Sequence, residues 1–139
     1  MLVLGRMITQ PVQKLPLDLF SSLESGDVLF IDTSHVLKLQ SDVVYELLRL
    51  LPVLKPGVWI HFHDIFTPYD YPEDWLTKSI PLSCNEQYGL ECLLSGGKRY
   101  TVELPLYMLW KEQPDVLQKL FPAGKTRPHG FWIRKQSND

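Results

Sequence analysis

The sequence has no long apolar segment and no excess of either charge. Its 139 residues include 14 Lys and Arg against 16 Asp and Glu, for a formal net charge of −2, so the composition gives no reason to expect a nucleic-acid partner. No apolar run reaches the roughly 18 residues that suggest a membrane span, and we expect no membrane partner. The first residues lack the charged start and small-residue cleavage site of a signal peptide, so we expect a cytoplasmic protein.

Cysteine is scarce, and the chain shows no internal repeat or low-complexity segment. Cys84 and Cys92 are too few for a disulfide framework, so we expect reduced thiols. Neither has an obvious base beside it in sequence, and we assign no nucleophile. A hydrophobic content of 45% is ordinary for a globular protein, and the length fits a single domain spanning residues 1–139.

What the sequence does contain is a strand–helix–strand pattern between residues 25 and 66. Asp27–Asp32 (DVLFID) and Gly57–Asp64 (GVWIHFHD) are short, β-prone apolar runs that each end in Asp and each follow a glycine-containing turn. Between them, Ser41–Leu54 has helical spacing, with Ser41 as N-cap and Lys55-Pro56-Gly57 ending the helix. The expected apolar face of this helix consists of Val43, Val44, Leu47, Leu48, Leu50, Leu51 and Leu54.

The two strands of this unit should end at the same place. Strands joined by a helix of this length are parallel neighbours with a right-handed crossover. Their carboxyl ends therefore open on one edge of the sheet, which is where open α/β sheets bind ligands. Because adjacent strands lie about 4.8 Å apart, we expect Asp32 and Asp64 to face one crevice together.

Three motifs in this unit match a known family. They are FID at Phe30–Asp32 followed by Ser34-His35, LPVLKPG at Leu51–Gly57, and HD at His63-Asp64. Together they resemble the fourth strand, the following helix and the fifth strand of class I S-adenosylmethionine-dependent methyltransferases, and the resemblance covers roughly Pro16–Arg134. It implies an α/β fold with a partial Rossmann-like methyltransferase sheet, strands four to seven, flanked by helices. The implied strand order is four, five, seven, six, mostly parallel, with the last strand antiparallel between its neighbours.

The amino-terminal part of the family pattern is missing. Methyltransferases of this class begin with a strand and a glycine-rich loop (E/D-x-G-x-G) that approaches the cofactor, but the only glycines before Asp27 are Gly5 and Gly26. Residues 1–26 instead form a segment leading into the first core strand. The elements expected there are short strands at Met1–Leu4 and Met7–Val12 and a short helix at Leu17–Leu23. We therefore expect a truncated domain, the carboxyl-terminal half of the fold, that does not bind S-adenosylmethionine by itself.

The remaining sequence predicts further elements and an exposed sheet edge. We expect a helix at Asn85–Ser95 with Tyr88 and Cys92 on its buried side. Beyond it, we predict a β-prone stretch at Arg99–Trp110 limited by Pro105, a helix at Asp115–Phe121 and a final strand at Gly130–Lys135. In such a half-sheet Asp27–Asp32 becomes an edge strand whose apolar side chains require cover on both faces. We therefore predict a homo-oligomer joined through this edge, unless the chain's own first residues supply the cover.

The polar residues at the two strand ends indicate a site that could bind a metal. Because side chains alternate along a strand, His61 and His63 should share one face and could bind a metal ion jointly, with Asp32 or His35 as a third ligand. Catechol-type O-methyltransferases hold magnesium with carboxylates at these two strand ends, so the resemblance implies that Asp32 and Asp64 could do the same. One departure is that Ile65 stands where that family has an amide ligand.

The same residues could act without a metal. His35 follows the end of the first strand and titrates near neutral pH, so it is our first choice for a base that takes a proton from the methyl acceptor, and His63 is the second. The resemblance places the cofactor beside Asp32 and Ser34. The alternative for His61 is a packed, hydrogen-bonded sheet residue, and Asp32 and Ser34 could simply cap the loop.

A loop rich in proline and aromatic residues follows the second acidic strand end. Pro68–Pro81 carries Tyr69, Tyr71 and Trp75, and loops at this edge of an α/β sheet usually determine specificity. These rings could form a substrate wall or lid for a small-molecule methyl acceptor. The alternative is that Trp75 folds back to cover the sheet.

Three functions are consistent with the sequence. The first is a methyltransferase for a small-molecule acceptor, expected to be inactive as this fragment. The second is a non-catalytic remnant that serves as an assembly or interaction module. A more distant third is a metal-dependent hydrolase that uses His61 and His63.

Overall fold

The computed structural model describes residues 5, 7–77, 83–124 and 126–136. Four strands form one mixed sheet in the order β1-β2-β4-β3, where β1 is Val28–Ile31, β2 is Trp59–Phe62, β3 is Tyr100–Pro105 and β4 is Phe131–Lys135. β1 and β2 are parallel, and β4 is antiparallel to both of its neighbours. The α/β class, the strand order and the single antiparallel strand are therefore confirmed.

The crossover between β1 and β2 is a helix of three segments. It begins as α2 (Asp42–Tyr45), widens into a π-helical turn (Glu46–Leu50) and ends as α3 (Leu51–Val53). The predicted N-cap is present, because Ser41 Oγ accepts a hydrogen bond of 3.2 Å from the backbone N–H of Val44. Pro52 explains the wide turn, since proline lacks an N–H and its ring crowds the carbonyl four residues back in a regular α-helix.

Five shorter helices complete the described part of the chain: α1 (Asp18–Ser21), α4 (Glu73–Leu76), α5 (Glu86–Ser95), α6 (Leu106–Glu112) and α7 (Pro114–Leu120). Among the described residues, no helix is long and apolar enough to cross a membrane. The prediction of a strand at Met7–Val12 is wrong, because residues 7–10 are irregular and a 3-10 turn forms at Val12–Lys14. The strand predicted at Met1–Leu4 lies outside the described residues.

The main hydrophobic core lies on one face of the sheet. Alternation along β1 and β2 directs Ile31, Ile60 and Phe62 toward the crossover helix, whose Leu47 and Leu51 are buried against them. The predicted apolar face of the helix is wrong at Leu48, which is 66% exposed. Successive residues of a helix lie about 100° apart around its axis, so Leu48 falls outside the face formed by the buried residues Val43, Leu47, Leu50, Leu51 and Leu54.

Helix α5 packs in a different orientation from the one its apolar residues suggest. Tyr88 and Cys92, which were expected to be buried, are exposed, whereas Glu86, Gln87 and Leu90 are buried. The polar residues enter the interior because they hydrogen bond with two loops, as described below. The helix is therefore oriented by polar contacts as well as by apolar burial.

A second cluster of buried side chains lies beyond the end of β2. Phe66 and Tyr107 are at its centre, with ring centroids 5.0 Å apart, and Tyr71 and Trp75 pack around Phe66. Edge-to-face contacts of this kind stabilise a cluster beyond the area that it buries. This aromatic cluster joins the loop after β2 to α6.

The two edges of the sheet differ. At the β1 edge, Val28 and Phe30 point away from the core and are 52% and 58% exposed. At the β3 edge, the pairing with β4 is irregular between Val102 and Leu104, and the strand ends at Pro105. A bulge and a terminal proline are devices that block further strand pairing, and β1 has neither.

Candidate functional site

The carboxyl ends of β1 and β2 bring three donor side chains to one point. His35 Nε2 lies 3.3 Å from Asp32 Oδ1 and 3.6 Å from Asp64 Oδ2. One ligand atom of each residue lies within 4.8 Å of the other two. Asp32 is half exposed, whereas the side chains of His35 and Asp64 are 14% and 18% exposed. The parallel crossover therefore brings the two acids together at one edge of the sheet, as the sequence pattern predicts.

The backbone at two of these residues is left-handed. His35 has φ of 56° and Asp64 has φ of 58°, a conformation that costs a non-glycine residue on the order of 1 kcal/mol. Hydrogen bonds hold both turns in place: the backbone N–H groups of Asn85 and Glu86 donate to the His35 carbonyl, and that of Ile65 donates to the His129 carbonyl at 3.1 Å. These turns bring the two side chains close to each other.

His35 has a buried partner on its other nitrogen. Glu86, which is 1% exposed, places Oε2 2.9 Å from His35 Nδ1. The hydrogen bond to Glu86 raises the pKa of His35 against the opposing effect of burial, and the charges of Glu86, Asp64 and Asp32 raise it further. The imidazole thus has one ring nitrogen on Glu86 and the other facing two carboxylates.

Two further histidines surround Asp64. His129 Nδ1 lies 2.8 Å from Asp64 Oδ1 in a hydrogen bond. His63 Nδ1 approaches the same oxygen at 3.0 Å without forming a hydrogen bond. His129 was not predicted as a site residue, although its position before the final strand was a usable signal. Because β4 begins beside the end of β2, residues that precede β4 lie at the ligand edge.

Ser34 is occupied by a local contact. Its backbone N–H and its hydroxyl both donate to the carboxylate of Asp42. Burial raises the pKa of Asp42, but these hydrogen bonds and others from its own turn more than offset that effect and lower it. Ser34 therefore fixes the loop after β1 to the start of the crossover helix.

His61 is enclosed by aromatic rings. Its ring stacks on Phe30 with a centroid distance of 4.2 Å and meets the edge of Trp132 at 4.6 Å. Both ring nitrogens are buried without a hydrogen-bond partner, and burial lowers the pKa of His61 to about 4. His61 and His63 do share a face, but their ring centroids are 5.9 Å apart. This environment favours a packed sheet residue over a metal ligand, although the predicted hydrogen bond is absent.

The aromatic residues of the loop after β2 are largely buried, and one of them packs against a histidine of the site. Tyr71 and Trp75 are each 8% exposed, and the Trp75 ring contacts the His129 ring at a centroid distance of 5.7 Å. Tyr69 is partly buried, and its hydroxyl donates to Glu112 Oε1 at 2.6 Å. Two of the three rings predicted to face a substrate therefore pack into the aromatic cluster, where Trp75 contacts His129.

The fold and the site together define an α/β protein whose ligand edge carries oxygen and nitrogen donors at the ends of two parallel strands. Residues 3–65 match the family model of a methyltransferase domain. The resemblance to a methyltransferase-like family is thus confirmed, and the matched segment contains β1, the crossover helix, β2 and the donors Asp32, His35 and Asp64. The match lies in the amino-terminal part of this chain, so the assignment to the carboxyl-terminal half of a fold stays a prediction. No curated protein and no solved structure matches the chain.

Proposed function

We propose that this chain forms the acceptor side of an S-adenosylmethionine-dependent methyltransferase site, with Asp32, His35 and Asp64 holding a divalent cation. The observation that carries the proposal is the convergence of one donor atom from each of these residues to within 4.8 Å of the others. The match of residues 3–65 to a methyltransferase domain supports the class of reaction. The unpaired thiols of Cys84 and Cys92 support a reducing, cytoplasmic setting.

The position of the ring hydrogen in neutral His35 explains why a cation fits between the three side chains. Glu86 lies nearest to Nδ1, at 2.9 Å, and an ionised carboxylate can only accept, so a neutral ring keeps its hydrogen on Nδ1. Nε2 then presents a lone pair toward the carboxylates of Asp32 and Asp64. Three acceptors that face one another repel unless a cation or a proton lies between them.

The donor set indicates which cation would suit the site. Two carboxylate oxygens and one imidazole nitrogen are compatible with Mg²⁺ or Mn²⁺. The amide ligand of the related enzymes is replaced here by Ile65, which is buried and apolar. We propose that His35 Nε2 supplies this third ligand instead.

The chain's own residues account for acceptor binding and proton removal. A divalent cation held by Asp32, His35 and Asp64 would supply Lewis-acid chemistry that lowers the pKa of an acceptor hydroxyl. His63, whose side chain is 39% exposed beside Asp64, is proposed as the base that takes the acceptor's proton. If no cation binds, His35 is the base, as the sequence suggests. We propose a small hydroxyl-bearing molecule as the acceptor.

The methyl donor is the second component of the proposed reaction. Methyltransferase domains generally use S-adenosylmethionine, but the described residues ahead of β1, residue 5 and residues 7–27, form no strand, and the sequence there has no glycine-rich turn. Ser34, which the resemblance places near the cofactor, donates its hydroxyl to Asp42. We therefore propose that this chain does not bind the donor by itself, and we expect no heat of binding when S-adenosylmethionine is titrated into it in a calorimeter. Micromolar affinity would contradict that part of the proposal.

Manganese binding tests the cation site directly. We expect wild-type protein to bind Mn²⁺. Binding can be measured by calorimetry or by the loss of the paramagnetic resonance signal of the free ion. Asp64→Asn should reduce the Mn²⁺ affinity by more than about tenfold. Replacing even a residue that only orients the ligands of a metal site typically lowers metal affinity 10- to 100-fold. Asparagine tolerates the left-handed backbone at this position, so the variant should remain folded. Asp115→Asn on the exposed face of α7 is the matched control, and equal affinity in all three proteins would refute the cation proposal.

A second candidate function is an assembly module that pairs through β1. The observation that favours it is the contrast between the edges: β1 exposes Val28 and Phe30, whereas β3 carries a bulge and ends in proline. An apolar edge strand without such devices is a template for pairing with another chain. We propose a homo-oligomer whose sheets are joined along β1.

Light scattering distinguishes these edges. We expect wild-type protein to be a dimer or larger, and Phe30→Lys to shift it toward the monomer because a charge would be buried in the joined sheet. Val102→Lys places the same charge on the exposed β3 edge and should leave the mass unchanged. A wild-type protein that is strictly monomeric would contradict the assembly proposal while leaving the cation site untouched.

A further inference from the structure

The first turn of α5 hydrogen bonds with the loop after β1. Asn85 and Glu86 both donate their backbone N–H groups to the His35 carbonyl, at 2.9 and 3.3 Å. The Asn85 side chain accepts from the Leu37 N–H at 2.5 Å, so it does not cap its own helix. Glu86 adds the contact to His35 Nδ1. This segment therefore holds both the backbone and the ring of His35.

The next residue holds the loop after β2. Gln87 Oε1 accepts from the Phe66 N–H at 3.2 Å, and Gln87 Nε2 donates to the Tyr69 carbonyl at 3.1 Å. Its backbone N–H donates to the Tyr71 hydroxyl at 3.4 Å. Three consecutive residues, Asn85, Glu86 and Gln87, thus connect the two loops that carry the donor side chains. We call them the α5 clamp.

Burial shows that the α5 clamp is not a surface feature. Glu86 and Gln87 are each 1% exposed, and burying a carboxylate is costly unless it is hydrogen bonded or paired. Apolar residues at these positions would fill the same space without that cost. The polar groups are therefore explained by what they position rather than by packing.

We propose that Glu86 is a positioning residue that keeps the hydrogen of neutral His35 on Nδ1 and so directs the Nε2 lone pair between Asp32 and Asp64. Asn85 and Gln87 hold the two loops at the separation that this geometry needs. The inference rests on the proposed function, because the lone pair matters only if a cation or a proton is bound there. Carboxylates that orient metal-binding histidines in this way typically improve metal affinity 10- to 100-fold.

The substitution that separates chemistry from packing is Glu86→Gln. Glutamine has nearly the same shape, but its amide can donate to Nδ1, which frees the ring hydrogen to move to Nε2 and to bond Asp32 or Asp64. Glu86→Asp keeps an ionised acceptor on a shorter side chain. If Glu86 only fills space, Glu86→Gln should disturb the site less than Glu86→Asp, because glutamine keeps the shape. If Glu86 fixes the His35 ring hydrogen, Glu86→Asp should preserve the tautomer and Glu86→Gln should change it.

The experiment reads the His35 tautomer by nitrogen-15 NMR of the metal-free protein at a pH where the ring is neutral. We expect the Nδ1–H form in wild type and Glu86→Asp, and the Nε2–H form in Glu86→Gln. The exposed Glu73→Gln variant on α4 should match wild type. An unchanged tautomer in Glu86→Gln would overturn the inference, as would a wild-type ring that carries its hydrogen on Nε2.

Manganese affinity measured on the same proteins separates this inference from the proposed function. If both hold, Glu86→Gln weakens Mn²⁺ binding by about 10- to 100-fold and Glu73→Gln does not. If wild-type protein binds no Mn²⁺ but shows the expected tautomers, the cation proposal fails and the positioning role of Glu86 stands. If Mn²⁺ binds equally well to wild type and Glu86→Gln, the positioning role fails and the cation proposal stands.

Discussion

Two buried titratable side chains should give this protein opposite pH dependences of stability, and replacing one of them should reveal the other. Glu46 lies in the π-helical turn and is 2% exposed. Burial, followed by the charges of Glu86 and Asp42, raises the pKa of Glu46 from 4.5 to about 7, although the hydroxyl of Thr33 and the charge of His35 act in the other direction. The folded protein therefore holds a proton on Glu46 that the unfolded chain releases. Stability from this group is fully present below pH 4.5 and is lost as the pH rises through about 7.

The magnitude follows from the difference between the two pKa values. One pH unit corresponds to about 1.4 kcal/mol per proton, so the rise from 4.5 to about 7 amounts to about 3 kcal/mol of lost stability above pH 7. Glu46→Gln keeps the shape and can still accept the Thr33 hydroxyl, but it has no proton to lose. It should therefore be more stable than wild type at pH 8 by up to about 3 kcal/mol, with little difference at pH 4.5.

His61 should give the opposite pH dependence of stability over almost the same pH range. Burial, with a smaller contribution from the charge of His63, lowers the pKa of His61 from 6.5 to about 4. Its stabilising contribution is present above pH 6.5 and is lost as the pH falls through about 4. In wild type the two groups offset each other between pH 4.5 and 6.5, so Glu46→Gln should become more stable with rising pH across that interval.

Urea unfolding at pH 4.5, 5.5, 6.5 and 8 measures the free energy of unfolding of wild type and Glu46→Gln, with Glu73→Gln as the control. An exposed substitution such as Glu73→Gln should stay within about 0.5 kcal/mol of wild type at every pH. If Glu46→Gln follows wild type in parallel from pH 4.5 to 8, then Glu46 is ionised in the folded protein and the reasoning is refuted.

Two further predictions concern the backbone and the aromatic cluster, and both are read from urea midpoints. Gly57→Ala should destabilise the protein by more than about 1 kcal/mol, because Gly57 has φ of +89° and a Cβ there would lie 2.1 Å from Ser25 Oγ. Gly97→Ala is the control and should have a much smaller effect, because the space around Gly97 is open. Equal losses of stability in the two variants would contradict the steric argument. Phe66→Ala should cost about 3–5 kcal/mol, since Phe66 is fully buried at the centre of the aromatic cluster, whereas Phe121→Ala at a half-exposed ring should cost far less. A small loss at Phe66 would mean that the cluster adds little to folding.

The parts of the fold that could be predicted are those determined by local pattern and chain connection. The apolar runs ending in Asp32 and Asp64, the Ser41 cap and the rule for parallel crossovers were sufficient to place two acids at one edge of the sheet. The family resemblance supplied the order of the sheet. None of these inferences needed the position of a residue that is distant in sequence.

The parts that were missed depend on contacts between distant segments. Glu86 lies 51 residues from His35, and His129 lies 65 residues from Asp64. Hydrophobic character alone suggested that Tyr88 and Cys92 face inward, but the buried side of α5 is decided by hydrogen bonds to two loops. Such contacts become predictable only when the sheet order is used to ask which loops meet at its edge.

The α5 clamp also makes the site vulnerable to a partial opening of the molecule. Because the first turn of α5 hydrogen bonds with both strand-end loops, fraying of that turn would release His35 and the loop around Phe66 and Tyr69 together, while the sheet stays intact. Segments outside the sheet can open locally at a lower free energy than the core strands. Amide hydrogen exchange should therefore be faster at Asn85–Gln87 and in the two loops than in β2 and β4. The site would then disassemble in mild denaturant before the chain unfolds.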